Sequence, residues 1–157
     1  MLLAKALKWI FMTRVDFYIL ENGDLAASEA LACRVIEKAF RNGHRVFVHT
    51  ASPVDSQRID DLLWTFRPGS FVPHCHAQKN TIASATKSPV VISHQFDLAA
   101  DADMLVNLSG HTPARLDGFQ RIAEVVADDE NAKLSARQRF REYREHGSEL
   151  HSHGMTA

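Results

Sequence analysis

The feature that most constrains the fold is a set of short apolar runs that alternate with segments of helical period. Five runs have the length and composition of strands: Val15–Leu20, Arg45–Thr50, Val90–Ser93, Met104–Ser109 and Ile122–Val126. Strands that are apolar almost throughout are typical of a parallel sheet covered on both faces. The pattern therefore predicts a single Rossmann-like three-layer α/β domain with a mostly parallel sheet of about five strands.

Two segments between these runs and one after the last run carry apolar residues every three to four positions, which predicts helices. Gly43 and Pro68 end the first two segments, and Gly147 lies near the end of the third. Asp55 or Ser56 is the expected cap of the second helix. The helices are expected over residues 26–42, from 55 or 56 to Pro68, and over 128–147.

Composition excludes several classes of protein. The chain has 157 residues, 45% of them hydrophobic and 24% charged, which fits one globular domain and argues against a disordered chain. Its 18 Lys and Arg against 19 Asp and Glu provide no overall positive field for nucleic acid. Two cysteines, Cys33 and Cys75, indicate a reducing compartment. With no apolar stretch near the ~20 residues of a membrane span, we expect a cytoplasmic protein.

The domain is expected to cover residues 12–150. Residues 1–11 form an N-terminal extension, or reflect a mis-called start, because Met12 stands shortly before the first strand. The polar residues 151–157 are expected to form a disordered tail.

Enzyme motifs are missing from the positions where the fold would need them. The first turn after a strand, residues 21–26, has one glycine beside two carboxylates, which does not suit a phosphate. No P-loop and no G-x-S-x-G elbow occurs, so we expect neither a catalytic site nor a cofactor. His74 and His76 resemble metal ligands, but only His94 or His111 could complete a site, so an ordinary loop without metal is expected there.

The second helix carries a large aromatic residue away from its apolar stripe. Ile59 and Leu63 define the core direction, and Trp64 lies about 140° from Ile59 on a helical wheel. Phe71, in the following loop, can fold back beside it. An exposed Trp and Phe pair is typical of a protein-binding hot spot. The alternative is that the long loop simply covers Trp64.

The last helix is rich in basic residues. Lys133 and Arg137 lie on the same side as Phe140, whereas Ala136 and Tyr143 lie on the other. Such a face suits an acidic peptide that ends in an apolar residue with a free carboxylate. The alternative is a solvated basic face with Phe140 and Tyr143 in the core.

These motifs together resemble one family, the chi subunit of bacterial DNA polymerase III. The resemblance covers about residues 12–150. It rests on six segments in order: Thr13–Leu20, Gly43–Val48, Leu62–Trp64 with Ser70–His74, Pro89–Ser93, Leu105–Ser109 and Ala136–Gly147.

The resemblance implies a non-catalytic subunit of a DNA-directed DNA polymerase with two protein partners. One is the psi subunit of the clamp loader, on a surface that matches Trp64 and Phe71 and is also offered to a helicase-like protein. The other is the acidic C-terminal tail, ending in Phe, of the single-stranded-DNA-binding protein. Its binding helix aligns on Lys133, Arg137 and Phe140, where Phe140 replaces the more usual Tyr or Trp. Nucleic acid is then contacted only indirectly.

The residues and the resemblance together predict a replication adaptor. Three acids just before the last helix, residues 128–130, bring negative charge close to the tail-binding face. Two other classes stay open: a nucleotide-binding α/β enzyme of unrecognised type and a direct binder of single-stranded nucleic acid. Saturable nucleotide binding would favour the first, and salt-dependent binding to naked single-stranded DNA would favour the second.

Overall fold

The predicted apolar runs form strands of one sheet. The computed structural model describes residues 12–78, 87–99 and 101–156, and within these residues every strand pairing is parallel. The strands are β1 Arg14–Leu20, β2 Val46–Thr50, β3 His74–His76, β4 Val90–Ser93, β5 Met104–Leu108, β6 Arg121–Val126 and β7 Glu149–Met155. The helices are α1 Leu25–Arg41, α2 Pro53–Thr65 and α3 Glu130–Glu145.

The sheet order is β3-β4-β2-β5-β6-β1-β7, which confirms a parallel α/β fold. Helices α1 and α2 cover one face, where Ile36 and Leu63 pack against Val48 and its neighbours. Helix α3 covers the other face, where Tyr143 packs with Phe17. Within the described residues the sheet has seven strands rather than the expected five. The two additional strands, β3 and β7, lie at its edges and lack an apolar run, so the sequence pattern did not predict them.

Side-chain caps define where each helix begins. Asp24 accepts a hydrogen bond from the Ala27 amide at the start of α1, and Asp129 caps α3 in the same way. At α2 the cap is Ser52, with Pro53 as the first helical residue, so this helix begins earlier than the expected Asp55 or Ser56.

The expectation of a disordered tail is wrong, because residues 149–155 form β7 at the edge of the sheet. This strand pairs in parallel with β1 over its whole length, from Arg14 opposite Glu149 to Leu20 opposite Met155. The main-chain hydrogen bonds of an edge strand need no apolar side chains, so a sequence with two histidines and a glycine is ordered here. The ordered domain extends beyond residue 150.

Two other expectations concern the ends of the chain and membranes. The proposed N-terminal extension, residues 1–11, lies outside the described residues. Across the part of the chain that the structure describes, the helices are too short or too polar to cross a bilayer.

A buried carboxylate also holds β7 in place. Asp16 on β1 is 1% exposed and accepts hydrogen bonds from Arg121 at 2.7 Å and from His153 at 2.9 Å, while Arg14 donates from the same strand. Burial alone would raise the pKa of Asp16, but the hydrogen bonds from Arg14, His153 and Arg121 hold it well below its usual range. His153 also stacks on Tyr18 at 5.1 Å.

We expect Asp16→Asn to lower the free energy of unfolding by about 1–3 kcal/mol at neutral pH, because three donors lose a charged acceptor. Folding lowers the pKa of Asp16, so its carboxylate adds to the free energy of unfolding at pH values above the ordinary carboxyl range. This contribution is lost as the pH falls below that range.

Urea denaturation at about pH 7 and about pH 3 measures both effects. The exposed Asp97→Asn variant is the control and should unfold like the wild type. If the difference in the free energy of unfolding between Asp16→Asn and wild type is as large at about pH 3 as at about pH 7, the stabilising role of the Asp16 carboxylate is contradicted.

Candidate functional site

Trp64 and Phe71 form an exposed pair of aromatic rings, here named the aromatic surface. Ile59 and Leu63 of α2 are buried in the core, whereas Trp64 is 56% exposed and Phe71 is 65% exposed. The two ring centroids are 5.9 Å apart. The prediction that Trp64 points away from the core is confirmed, and the loop lies beside the indole without covering it.

The loop that carries Phe71 is anchored at both ends. Glu37 of α1, itself buried, accepts hydrogen bonds from the Arg67 guanidinium and the Ser70 hydroxyl. Val72 is 1% exposed and packs into the core under α1 and α2. Because neighbouring residues in extended chain point to opposite sides, burial of Val72 turns Phe71 outward.

Helix α3 and the edge of the sheet enclose a groove of about 260 Å³, here named the basic groove. Phe17 and Ile19 of β1 form part of its wall, and Ser152 of β7 contributes from the edge strand. The remaining lining residues are Val126, Lys133, Ala136, Arg137 and Phe140. The structure thus brings the three predicted residues of the last helix, Lys133, Arg137 and Phe140, into one concave site.

The groove holds one free cation and one stacked ring. Among the described residues nothing pairs with Arg137, which is exposed beside the groove. Phe140 is half-buried, packed against Phe17 at 5.4 Å, and the Arg144 guanidinium lies 5.1 Å from its centroid. Tyr143 is fully buried, so the alternative that both rings enter the core holds only for Tyr143.

The acids before α3 lie close to the groove, as the sequence indicates. The Asp128 carboxylate is 2.9 Å from the Lys133 ammonium, and this hydrogen bond raises the pKa of Lys133. Asp129 caps the helix, and Glu130 is its first residue. An acidic ligand would therefore compete with Asp128 for Lys133, whereas it would meet Arg137 unopposed.

Between β6 and α3 lies a buried ion pair that the sequence did not predict. Glu124 of β6 is 0% exposed, and its carboxylate accepts from Arg139 at 2.9 Å, from Tyr143 at 2.7 Å and from Asn107 at 2.6 Å. Burial raises the pKa of Glu124 although Arg139 opposes this, and burial also raises the pKa of Tyr143. A glutamate inside the apolar run 122–126 was the available signal.

A second cavity, of about 270 Å³, lies at the carboxyl ends of the central strands, where α/β folds commonly bind nucleotides. Its lining includes two carboxylates, Glu29 and Asp55, and two arginines, Arg58 and Arg139. Arg58 pairs with Glu29 and Arg139 with Glu124, so neither of these described arginines is left unpaired for a phosphate group.

The His74–His76 segment forms strand β3 rather than the expected loop. Both ring nitrogens of His74 lie at backbone carbonyl oxygens, those of Val72 and Asp60. No cluster of three or more metal-ligating side chains occurs within residues 12–78, 87–99 and 101–156.

The fold and the two surfaces define a Rossmann-like α/β domain with exposed aromatic rings towards one sheet edge and a basic groove towards the other. Residues 12–151 match the family model described as DNA polymerase III chi subunit, HolC. The chain belongs to the family of DNA polymerase III chi subunits.

Curated relatives named DNA polymerase III subunit chi agree with this family assignment. The Pseudomonas aeruginosa protein is 36% identical over 144 residues, which cover 92% of this chain and 98% of the relative. The Haemophilus influenzae protein is 30% identical over 86% of this chain and 92% of its own length. The Escherichia coli protein is 29% identical over 90% of this chain and 97% of its own length.

We expect Arg139→Met to lower the free energy of unfolding by about 3–5 kcal/mol, because it leaves the Glu124 carboxylate buried without its cation. The matched control is Arg137→Met on the exposed side of the same helix, which should change stability by less than about 0.5 kcal/mol. The double variant Glu124→Gln/Arg139→Met should recover part of the loss, since no uncompensated charge remains. Guanidinium chloride denaturation measures all three, and equal effects of the two arginine variants would refute the assignment.

Proposed function

We propose that this chi-family protein is a non-catalytic adaptor in DNA replication that works in the cytoplasm. Its aromatic surface binds the psi subunit of the clamp loader, and its basic groove binds the acidic C-terminal tail of the single-stranded-DNA-binding protein. The observation that carries the proposal is the presence of two chemically distinct exposed sites on opposite faces of one sheet.

The aromatic surface has the chemistry of a protein-binding hot spot. Trp64 and Phe71 are both more than half exposed, in contact with each other and supported by an anchored loop. Exposed aromatic rings gain most when a partner removes them from water, and their few rotatable bonds keep the entropic cost low. A helicase-like partner would use the same rings and would therefore compete with psi.

The basic groove suits a peptide that ends in Phe. Its terminal ring can stack on the half-buried Phe140, and its terminal carboxylate can take hydrogen bonds from the unpaired Arg137. Acidic residues further along the tail would draw Lys133 away from Asp128. With Phe in place of Tyr or Trp, position 140 offers a ring face without a polar group.

Trp64→Ala and Phe71→Ala should each weaken psi binding by about 2–4 kcal/mol and leave the fold intact, because both rings lie outside the core. Val54→Ala is a matched control, since Val54 is on α2 and is 69% exposed. Size-exclusion chromatography of the co-expressed proteins measures the association, and thermal melts measure the fold. Unchanged psi binding by both aromatic variants would overturn this half of the proposal.

Arg137→Glu should weaken binding of a synthetic acidic peptide ending in Phe at least tenfold, about 1.4 kcal/mol, because a charge-assisted hydrogen bond is lost. The change should leave psi binding unaltered, since Arg137 and Trp64 are on opposite faces of the sheet.

Amidation of the peptide C-terminus provides the second arm of a double-mutant cycle. The amidated peptide should bind the wild type about as weakly as the free-acid peptide binds Arg137→Glu. Amidation should weaken binding to Arg137→Glu only slightly further. Fluorescence polarisation at fixed salt measures the four combinations. Equal affinity of the wild type for acid and amide peptides would mean that Arg137 does not hold the terminal carboxylate.

A further inference from the structure

A buried histidine lies directly behind the aromatic surface. The His74 side chain is 0% exposed, and its ring centroid is 4.6 Å from that of Trp64, at an interplanar angle of 51°. His74 thus supports the inner side of an indole whose outer side meets solvent.

Both nitrogens of this ring are held by main-chain oxygens. Nδ1 lies 2.6 Å from the carbonyl oxygen of Val72, and Nε2 lies 3.0 Å from that of Asp60. Each nitrogen therefore contacts a main-chain oxygen, and the Asp60 carboxylate also lies 3.3 Å from Nε2. The position and plane of the ring are therefore fixed.

The two carbonyls belong to the segments that carry the two exposed rings. Asp60 lies one helical turn before Trp64 on α2, and its carbonyl also accepts the Trp64 amide in the regular helical pattern. Val72 directly follows Phe71 in the loop. His74 thus joins the backbone of α2 to the backbone of the loop at the point where Trp64 and Phe71 meet.

We propose that His74 is the positioning residue of the aromatic surface: it sets the placement of Trp64 relative to Phe71 and thereby prepares both rings for a partner. The identity of that partner as psi rests on the proposed function. Pre-positioning of this kind strengthens binding, because less conformational freedom is lost when the complex forms.

Two variants separate the contacts of the ring. His74→Phe keeps a ring beneath Trp64 but removes both ring nitrogens, and His74→Gln keeps one N–H group near the position of Nε2. We expect His74→Phe to weaken psi binding about tenfold and His74→Gln to weaken it by less than about threefold. His49→Phe is the matched control, because His49 is a half-buried, ring-stacked histidine on the opposite face of the sheet.

The placement of Trp64 can also be measured without a partner. The sequence has two tryptophans, so Trp9→Phe leaves Trp64 as the only tryptophan, which can be excited without the tyrosines. In this background His74→Phe should increase the quenching of Trp64 fluorescence by acrylamide about twofold, because without the two nitrogen contacts the ring at position 74 is no longer fixed and the indole moves further into solvent. His49→Phe should leave the quenching unchanged even where it lowers the melting temperature to a similar extent.

The outcomes distinguish the inference from the function on which it rests. If Trp64→Ala and Phe71→Ala both keep full psi binding, the psi half of the proposed function fails, and the quenching measurement alone decides the role of His74. If Trp64→Ala loses psi binding while His74→Phe keeps wild-type affinity and quenching, the positioning role is overturned. Equal effects of His49→Phe and His74→Phe would also overturn it, since both would then reflect lost stability.

Discussion

A carboxylate with no access to water lies between the sheet and the last helix, and it dictates where that helix sits. A charge this deeply buried is tolerated only beside a matching cation and hydrogen-bond donors, which Glu124 obtains from Arg139 and Tyr143. Those two residues determine which side of α3 faces the sheet. Arg137 and Phe140 flank Arg139 on the same helix, so the orientation that the buried ion pair gives to α3 also places these two residues in the lining of the basic groove.

The interior of the sheet could be predicted from the sequence, whereas its edges could not. Central parallel strands are buried on both faces, and this double burial leaves a nearly continuous apolar run. The edge strands β3 and β7 are His-rich and polar, because each pairs with one neighbour only and is held by main-chain hydrogen bonds and local side-chain contacts. Asp16 on β1, through its bond to His153, orders a segment whose own composition indicates disorder.

The same distinction applies to the candidate site. The exposure of Trp64 follows from angles around a single helix, which are local and readable in the sequence. The basic groove could not be predicted in this way, because its walls come from α3, β1, β6 and β7, and a helical wheel shows only the residues of α3. His74 and Arg139 could not be assigned, since their partners lie on other elements that only the tertiary fold brings near.

The sheet between the two surfaces also acts as a spacer. Helix α2 contacts β3, β4 and β2, whereas α3 contacts β6 and β7 on the opposite face, so the centres of the two helices lie about four strand intervals apart. At about 4.8 Å per interval the separation along the sheet is roughly 19 Å. The two surfaces share no residue, so a ligand on one leaves the contacts of the other intact. Two partners bound at the same time would instead be held close together, which raises the effective concentration of each near the other. The rigid width of the sheet would determine the size of this increase.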